Sequence, residues 1–391
     1  MSDISVILSS GGMSYAYDIA RELQRAGYLR RLITAYHRRP HHGLDYPRRV
    51  RRVLLSELTG QALYRLLRGA NSFYIANLIR DNLYDLLARR HIDGGNILHA
   101  FNHYALFSMR KAKRLGMKTL IERDTAHPVY QQHLLSEEYA RYGLNYSSVN
   151  RLILRKHIQE YVEADAILVP SEFVRRTMVE QGIPESKLRL APLGFDPNRF
   201  RPIQGGKTDT TFRVLFVGSV SLQKGVHYLL EAFKRLALPN AELVFVGGVF
   251  PDSRAFLPSY EGIYRHIPFV PQERLSELYN SASVFVLPSL QDGFGMVVCE
   301  AAACGLPVII SENVGARIRD GQDGYIVPIR DPDALADRLL WLYRDEPLRR
   351  EMGESARQYV QQFTWEANHR RLVEIYRGLI GQEADTNEQF A

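Results

Sequence analysis

The chain has 391 residues, 46% of them hydrophobic and 24% charged, with a formal net charge of +7 at neutral pH. That length exceeds one ordinary core and sets two domains as the expectation, and the composition falls in the soluble globular range. No run approaches the roughly 20 apolar residues of a membrane span, and MSDISVILSS at the start lacks the basic region and long apolar stretch of a secretory signal, so a cytoplasmic protein is expected.

The first predicted strand is ISVILSS (4–10), followed by Gly11 and Gly12 in SSGGMSYA, which lacks the G-x-G-x-x-G spacing of a dinucleotide site. LRRLITAY (29–36) is the second, and it opens a segment, 30–52, with eight arginines, three histidines and one acid, Asp45. One reading of this segment is a solvated face. The other is a patch for anionic lipid head groups, a lipid-phosphate acceptor or an acidic glycan, with Arg48, Arg49, Arg51 and Arg52 at its end. His37, His41 and His42 have no acids or cysteines at ligand spacing and are not read as metal ligands. No nucleic-acid recognition module is visible.

Further strands are expected in ILHAFN (97–102), KTLIER (118–123), AILVPS (166–171) and LRLAPL (188–193), then in RVLFVG (213–218), ELVFVG (242–247), SVFVLP (283–288) and PVIIS (307–311). Amphipathic stretches separate these runs, which is the pattern of parallel strands joined by crossover helices. A Gly-, Pro-, Asp- and Thr-rich stretch divides the two sets. The expected organisation is an N-terminal Rossmann-like domain (1–194), a linker (195–211), a C-terminal Rossmann-like domain (212–363), and a closing helix and tail (364–391). Residues 1–200 carry 30 Lys and Arg against 19 Asp and Glu, whereas the remainder carries 20 against 24. Halves of opposite charge are expected to meet different partners. In this class of fold ligands bind at the carboxyl ends of the strands.

The most informative segment is LPSLQDGFGMVVCEAAACGLP (287–307). A loop holding Asp292, Gly293, Phe294 and Gly295 follows a strand, and MVVCEAAAC reads as a helix stopped by Gly305 and Pro307. Alanines 301–303 let that helix press on a sheet. Its free N–H groups and positive dipole end suit a phosphate, with Gly293 and Gly295 letting the ligand approach the backbone. Asp292 suits a hydroxyl, and Glu300, two turns on, suits the paired hydroxyls of a ribose. Together they point to a nucleotide sugar. The plainer alternative makes Asp292 a turn residue and Glu300 an exposed helix position. Cys299 and Cys304 lie in the same segment with no nearby histidine and read as buried small apolar residues. Asp331 before Pro332 reads as a helix cap rather than as half of a metal-binding acid pair.

Asp292 and Glu300 stand in a D-x7-E arrangement that resembles the E-x7-E signature of retaining glycosyltransferases of family 4, which have the GT-B fold. The likeness extends through EADAILVPSEFVRRTMVEQGIPESKLRLAPLGFDPNRF (163–200), VLFVGSVSLQKGVHYLLEAF (214–233), RDGQDGYIVPIRDPDALADRL (319–339) and FTWEANHRRLVEIY (363–376). It implies two doubly wound α/β domains facing each other across a cleft, with the closing helix packing back on the first. It also implies a retaining, metal-independent transferase that needs no cofactor, moving a sugar from a uridine- or guanosine-diphosphate donor to a hydroxyl. From the basic first domain, a glycolipid or polysaccharide precursor is the expected acceptor, with an anionic membrane surface as a peripheral partner.

The resemblance further implies that Glu300 binds the donor ribose, that Asp292 meets the sugar hydroxyls, and that the backbone of Phe294 and Gly295 holds the diphosphate. Lys224 would neutralise the leaving group, and Gly11 and Gly12 would form the loop where donor phosphate and acceptor meet. A histidine near the donor sugar points to His127, although strict register sets Arg123 or Asp124 there. Two departures stand out. Asp292 is one methylene shorter than the usual glutamate, and Ser219 replaces the usual phosphate-binding arginine, for which Arg317 is a candidate substitute. The rival expectations are a non-catalytic sugar-nucleotide or glycan-binding protein and an epimerase or hydrolase that needs no acceptor.

Overall fold

A computed structural model describes residues 4–12, 15–35, 44–45, 48–66, 72–146 and 151–381. His37, His41 and His42, the middle of the arginine-rich segment and the tail from 382 lie outside the described residues.

The first sheet contains β1 (Val6–Ser10), β2 (Leu29–Thr34), β3 (Val50–Arg52), β4 (Ile97–Phe101), β5 (Lys118–Glu122), β6 (Ala166–Val169) and β7 (Leu188–Leu190), in the spatial order β3-β2-β1-β4-β5-β6-β7. The second contains β8 (Phe212–Val217), β9 (Ala241–Val246), β10 (Arg265–Ile267), β11 (Val284–Leu287), β12 (Val308–Ser311) and β13 (Gly324–Val327), ordered β10-β9-β8-β11-β12-β13. Every strand pairing is parallel. The helices of the first half are α1 (Ala16–Arg25), α2 (Leu54–Leu66), α3 (Ser72–Ala88), α4 (Leu106–Arg114), α5 (Pro128–Arg141), α6 (Arg151–Glu163) and α7 (Glu172–Glu180). Those of the second are α8 (Val226–Leu236), α9 (Gln272–Ser281), α10 (Met296–Ala303), α11 (Pro332–Arg344), α12 (Glu346–Val360) and α13 (Trp365–Leu379).

This is the expected α/β GT-B architecture. The ten strands read from apolar runs are all present within three residues at each end, the widest gap being LRLAPL, whose strand stops at Leu190, and β3, β10 and β13 are additions. Alternation along β1 sends Val6 and Leu8 into one core and Ile7 into another on the opposite face. The face with Val6 and Leu8 is closed by α1 and by Leu372, Val373 and Tyr376 of α13. The Tyr376 hydroxyl lies 2.7 Å from His99 Nδ1 on β4, and the Asn368 amide donates to the Pro192 carbonyl at 2.7 Å, so α13, the last of the described helices, is held by the first domain.

Strand order reverses between β1 and β4 in one sheet and between β8 and β11 in the other. At such a switch point adjacent crossovers leave on opposite faces, which opens a crevice at the strand ends. Gly11 and Gly12 follow β1, His103 and Tyr104 follow β4, the 218–225 loop follows β8, and Asp292–Gly295 follows β11. The residues read as a site therefore collect at the two crevices.

Candidate active site

Lys224 ends the loop after β8, immediately before α8, whose cap Gly225 has φ 65° and packs on the Pro288 carbonyl. The loop is pinned by Asp252, whose carboxylate accepts from the Leu222 N–H at 2.7 Å and from the Tyr139 hydroxyl of α5 at 2.9 Å. Asp292 is anchored through its backbone, giving its N–H to the Asn313 carbonyl and taking the Gly315 N–H, both at 2.9 Å. Its side chain is thereby aimed at Lys224, and the ammonium to carboxylate distance is 2.5 Å. The pair joins the two loops of the second switch point and is largely covered, with side-chain exposures of 20% and 16%. Ser219 lies half-buried in the same β8 loop.

Gly295 caps α10 in the left-handed region at φ 74°, its carbonyl takes the Val298 N–H at 2.8 Å, and the N–H groups of Met296 and Val297 that open the helix have no intrahelical acceptor. The helix is held still by burial of Ala301, Ala302 and Ala303 and by the close passage of Gly353 on α12 against the Gly305 carbonyl. Phe294 is buried, and its N–H points to Asp292 Oδ1 at 3.4 Å. Gly293 has a different role from the one expected: a Cβ there would lie 1.7 Å from the Asp124 carbonyl oxygen. What approaches this glycine is the opposite domain. Its carbonyl also accepts the Ser171 hydroxyl at 2.6 Å.

On the first-domain side the structure brings Asp124, rather than His127, to Asp292. Arg123 turns inward and donates to the carbonyls of Thr125 and Ala126 and to Asn102, which folds the 124–127 loop back. His127 is then buried at the start of α5, where Nδ1 accepts the Val129 N–H at 3.3 Å, and its pKa falls to about 4 through burial and the Arg123 charge. The neutral ring is therefore no general acid near neutral pH, although its Nε2–H can still donate a hydrogen bond. Asp124 keeps an open face, and its pKa is raised by desolvation and by the neighbouring Glu122 and Asp292 carboxylates. Gly11 is needed because a Cβ would meet the Tyr104 ring at 2.3 Å, and the Gly12 carbonyl accepts the Ser10 hydroxyl at 3.0 Å. Tyr104 and its neighbour His103 were not singled out from the sequence. His103 has φ 86°, a conformation costly for a side-chain-bearing residue that often marks a site.

Glu300 is only 5% exposed, so the exposed-helix alternative is wrong. Its Oε2 accepts the Tyr279 hydroxyl at 2.9 Å, and burial raises its pKa to about 7 against the opposing pull of that bond and of Arg199. It forms a wall of a cavity of about 830 Å³, lined also by Met296, Arg199, Asp196, Asp18 and Arg21. Cys299 and Cys304 beside it are buried free thiols, both pushed up to about 12 by burial.

Arg317 does not join Lys224; its guanidinium faces Glu172 of α7 at 3.4 Å. Arg330 also binds across the domains, 2.8 Å from Glu138 on α5. Glu138 also accepts the Tyr228 hydroxyl at 2.7 Å and lies 2.9 Å from His227 Nε2. Burial alone would raise the Glu138 pKa, but these partners bring it down to about 2. Asp331 caps α11 through the Ala334 N–H, as its spacing implies. In the arginine-rich segment, Arg30 and Arg31 pair with Asp93, and Arg49 donates to the Leu29 carbonyl. Part of that charge is therefore structural, and Arg30, Arg48 and Arg49 border a shallow depression with Asp45.

Two family models match adjoining parts of the chain: Glycosyltransferase Family 4 over residues 9–199 and Glycosyl transferases group 1 over residues 199–359. An uncharacterized glycosyltransferase of Methanocaldococcus jannaschii is 27% identical over 346 residues, 75% of this chain and 87% of that one. A D-inositol 3-phosphate glycosyltransferase of Corynebacterium urealyticum is 31% identical over 248 residues, 56% of this chain and 58% of that relative's length. Among solved structures, sucrose-phosphate synthase from Thermosynechococcus elongatus superposes with a TM-score of 0.70 at 21% identity, covering 97% of this chain and 100% of that one. Anabaena HepE in complex with UDP gives a TM-score of 0.70 at 14% identity, covering 96% and 100%.

Proposed function

The chain belongs to glycosyltransferase family 4, and from that premise we propose that it moves a sugar from a uridine- or guanosine-diphosphate donor to a hydroxyl acceptor, with retention at the anomeric carbon. The observation that carries the reading is the Lys224–Asp292 pair at 2.5 Å, set at a topological switch point beside the free amino end of α10. An anion and a polyol can share it. The donor diphosphate lies over the first turn of α10 and takes Lys224 from Asp292, which frees the carboxylate for the sugar hydroxyls. Glu300 exchanges the Tyr279 hydroxyl for the hydroxyls of the ribose.

The acceptor oxygen attacks C1 from the face that the phosphate leaves. The C1–phosphate bond breaks as the new C1–oxygen bond forms, and the departing phosphate oxygen takes the acceptor proton. Lys224 and the helix end neutralise the charge that develops on the diphosphate, so no resident metal ion is required of the site. The Asp124 carbonyl seated on Gly293 keeps the domains together at the reacting centre, which limits hydrolysis of the donor. Asp124 replaces His127 in the proposed set of donor-side residues. Glycolipid or polysaccharide precursors are the proposed acceptors.

The test is incubation with uridine- and guanosine-diphosphate sugars and a panel of alkyl- and polyprenyl-linked sugar acceptors, with and without a chelator. Nucleoside diphosphate release and the anomer of the product are followed by proton NMR. Acceptor-dependent release, a retained anomer and indifference to the chelator are expected. Release at the same rate without acceptor, or an inverted product, overturns the reading.

A further inference from the structure

We infer that the outward face of the α2–α3 pair is a membrane-docking surface that seats in the head-group region of an anionic bilayer. Helix α2 is packed with its apolar side outward. The residues it buries are Ser56 and Gly60, and Gly60 lies against Arg80 of α3, where a Cβ would meet Arg80 Cδ at 2.9 Å. Leu54, Leu58 and Leu66 follow one helical face and are 42%, 62% and 76% exposed, with Leu55 beside them at 57%. On α3, Ile75 and Ile79 are 43% and 40% exposed. Eight of the nineteen exposed large hydrophobic residues among the described ones fall on these two helices, so the patch is concentrated rather than scattered.

The charge around the patch selects the occupant. Exposed Arg52 precedes the first turn of α2, Arg65 stands in its last turn, and exposed Arg89 and Arg90 follow α3. The acids of α3 are turned inward: Asp81 pairs with Arg80, and Asp85 accepts the N–H groups that begin α4. A leucine stripe with an arginine rim is complementary to an interface of acyl chains and anionic head groups. No helix among the described residues is long and apolar enough to cross a membrane, so this element would lie in the interface plane. The inner side of the same pair reaches the cleft, since Arg80 Nη2 donates to the Tyr104 hydroxyl at 3.4 Å and Tyr104 covers Gly11. Docking would thus set the first-domain wall of the cleft at the bilayer surface, where a lipid-carried acceptor is presented. That last assignment rests on the transfer reading; the docking itself does not.

The experiment is co-sedimentation of the full chain with vesicles of phosphatidylcholine and with equimolar phosphatidylcholine and phosphatidylglycerol. The wild type, Leu54→Gln/Leu58→Gln/Leu66→Gln, and Arg52→Gln/Arg65→Gln are compared. The wild type should bind the mixed vesicles. The leucine variant should bind on the order of tenfold more weakly, and the arginine variant should lose the preference for anionic lipid. Melting temperature and nucleoside-diphosphate binding, measured on each variant, should be unchanged because the altered side chains face outward. If the triple variant melts early, Leu66→Gln alone replaces it. No binding by the wild type, or equal binding by a folded leucine variant, overturns the inference. So does a wild-type dimer in sedimentation equilibrium that the leucine variant dissolves, since the face would then be covered by a second copy.

Discussion

Replacing Glu300 by Gln should make the protein more stable above neutral pH, and the gain should vanish in acid. Burial holds the Glu300 pKa at about 7 instead of the ordinary 4.5. In the folded state the carboxyl therefore keeps its proton between pH 4.5 and 7, whereas in the unfolded chain it ionises. A raised folded-state pKa means stability that is present in full below 4.5 and is lost as pH climbs through 7. The shift corresponds to about 3 kcal/mol at pH 8. Gln is isosteric and can still accept from Tyr279, so it removes the ionisation and little else. Glu160, also raised to about 7 by burial, titrates in both proteins and drops out of the difference. The assay is denaturant unfolding of wild type and E300Q across pH 4 to 8. The advantage of the variant should be near zero at the acid end and of order 3 kcal/mol at the basic end. A difference that does not change with pH would refute the argument that Glu300 is held protonated by its surroundings. The same proton must leave when a ribose is bound, so nucleotide affinity of the wild type should rise through pH 7 and that of E300Q should not.

Lys224→Ala should lower turnover on the order of 100-fold or more, since it removes the cation facing the leaving group. It also leaves the largely covered Asp292 carboxylate without its cation, so a loss of about 1–3 kcal/mol in stability is expected as well, and steady-state kinetics beside a melting curve separates the two. Gly293→Ala forces a methyl group into the Asp124 carbonyl and should abolish turnover while both domains remain folded, as read by circular dichroism and activity. Glu138→Gln removes the buried counter-charge of Arg330 across the domains and leaves it only the half-exposed Glu137 at 3.1 Å, which should cost about 3 kcal/mol at pH 7. With the folded pKa of Glu138 near 2, below its ordinary 4.5, that loss should shrink as pH falls between the two; a loss unchanged at pH 3 would argue against the charge.

The strands that could be read were those whose apolar runs exceed the surrounding sequence. The three that could not are β3, β10 and β13, which are three or four residues long: VRR and RHI sit on sheet edges with charged residues, and GYIV opens on a glycine. The loop of Asp292 was legible because no packing requirement explains an acid between glycines ahead of an alanine-rich helix. The choice between Asp124 and His127 was not. Both lie within five residues of a strand end, and what decides is the inward turn of Arg123, a tertiary event with no local signature. Glu138 was missed for a related reason: in sequence it looks like a solvent-facing helix acid, while the partners that bury it are 89, 90 and 192 residues away.

The central claim is that Lys224, Asp292 and the amino end of α10 form a nucleoside-diphosphate site, and isothermal titration of UDP and GDP into wild type, Lys224→Ala and E300Q tests it most directly. The account predicts that one nucleotide binds the wild type and that each substitution weakens it, Lys224→Ala through the phosphates and E300Q through the ribose. Binding that survives both substitutions unchanged, or absence of binding by the wild type, would contradict it.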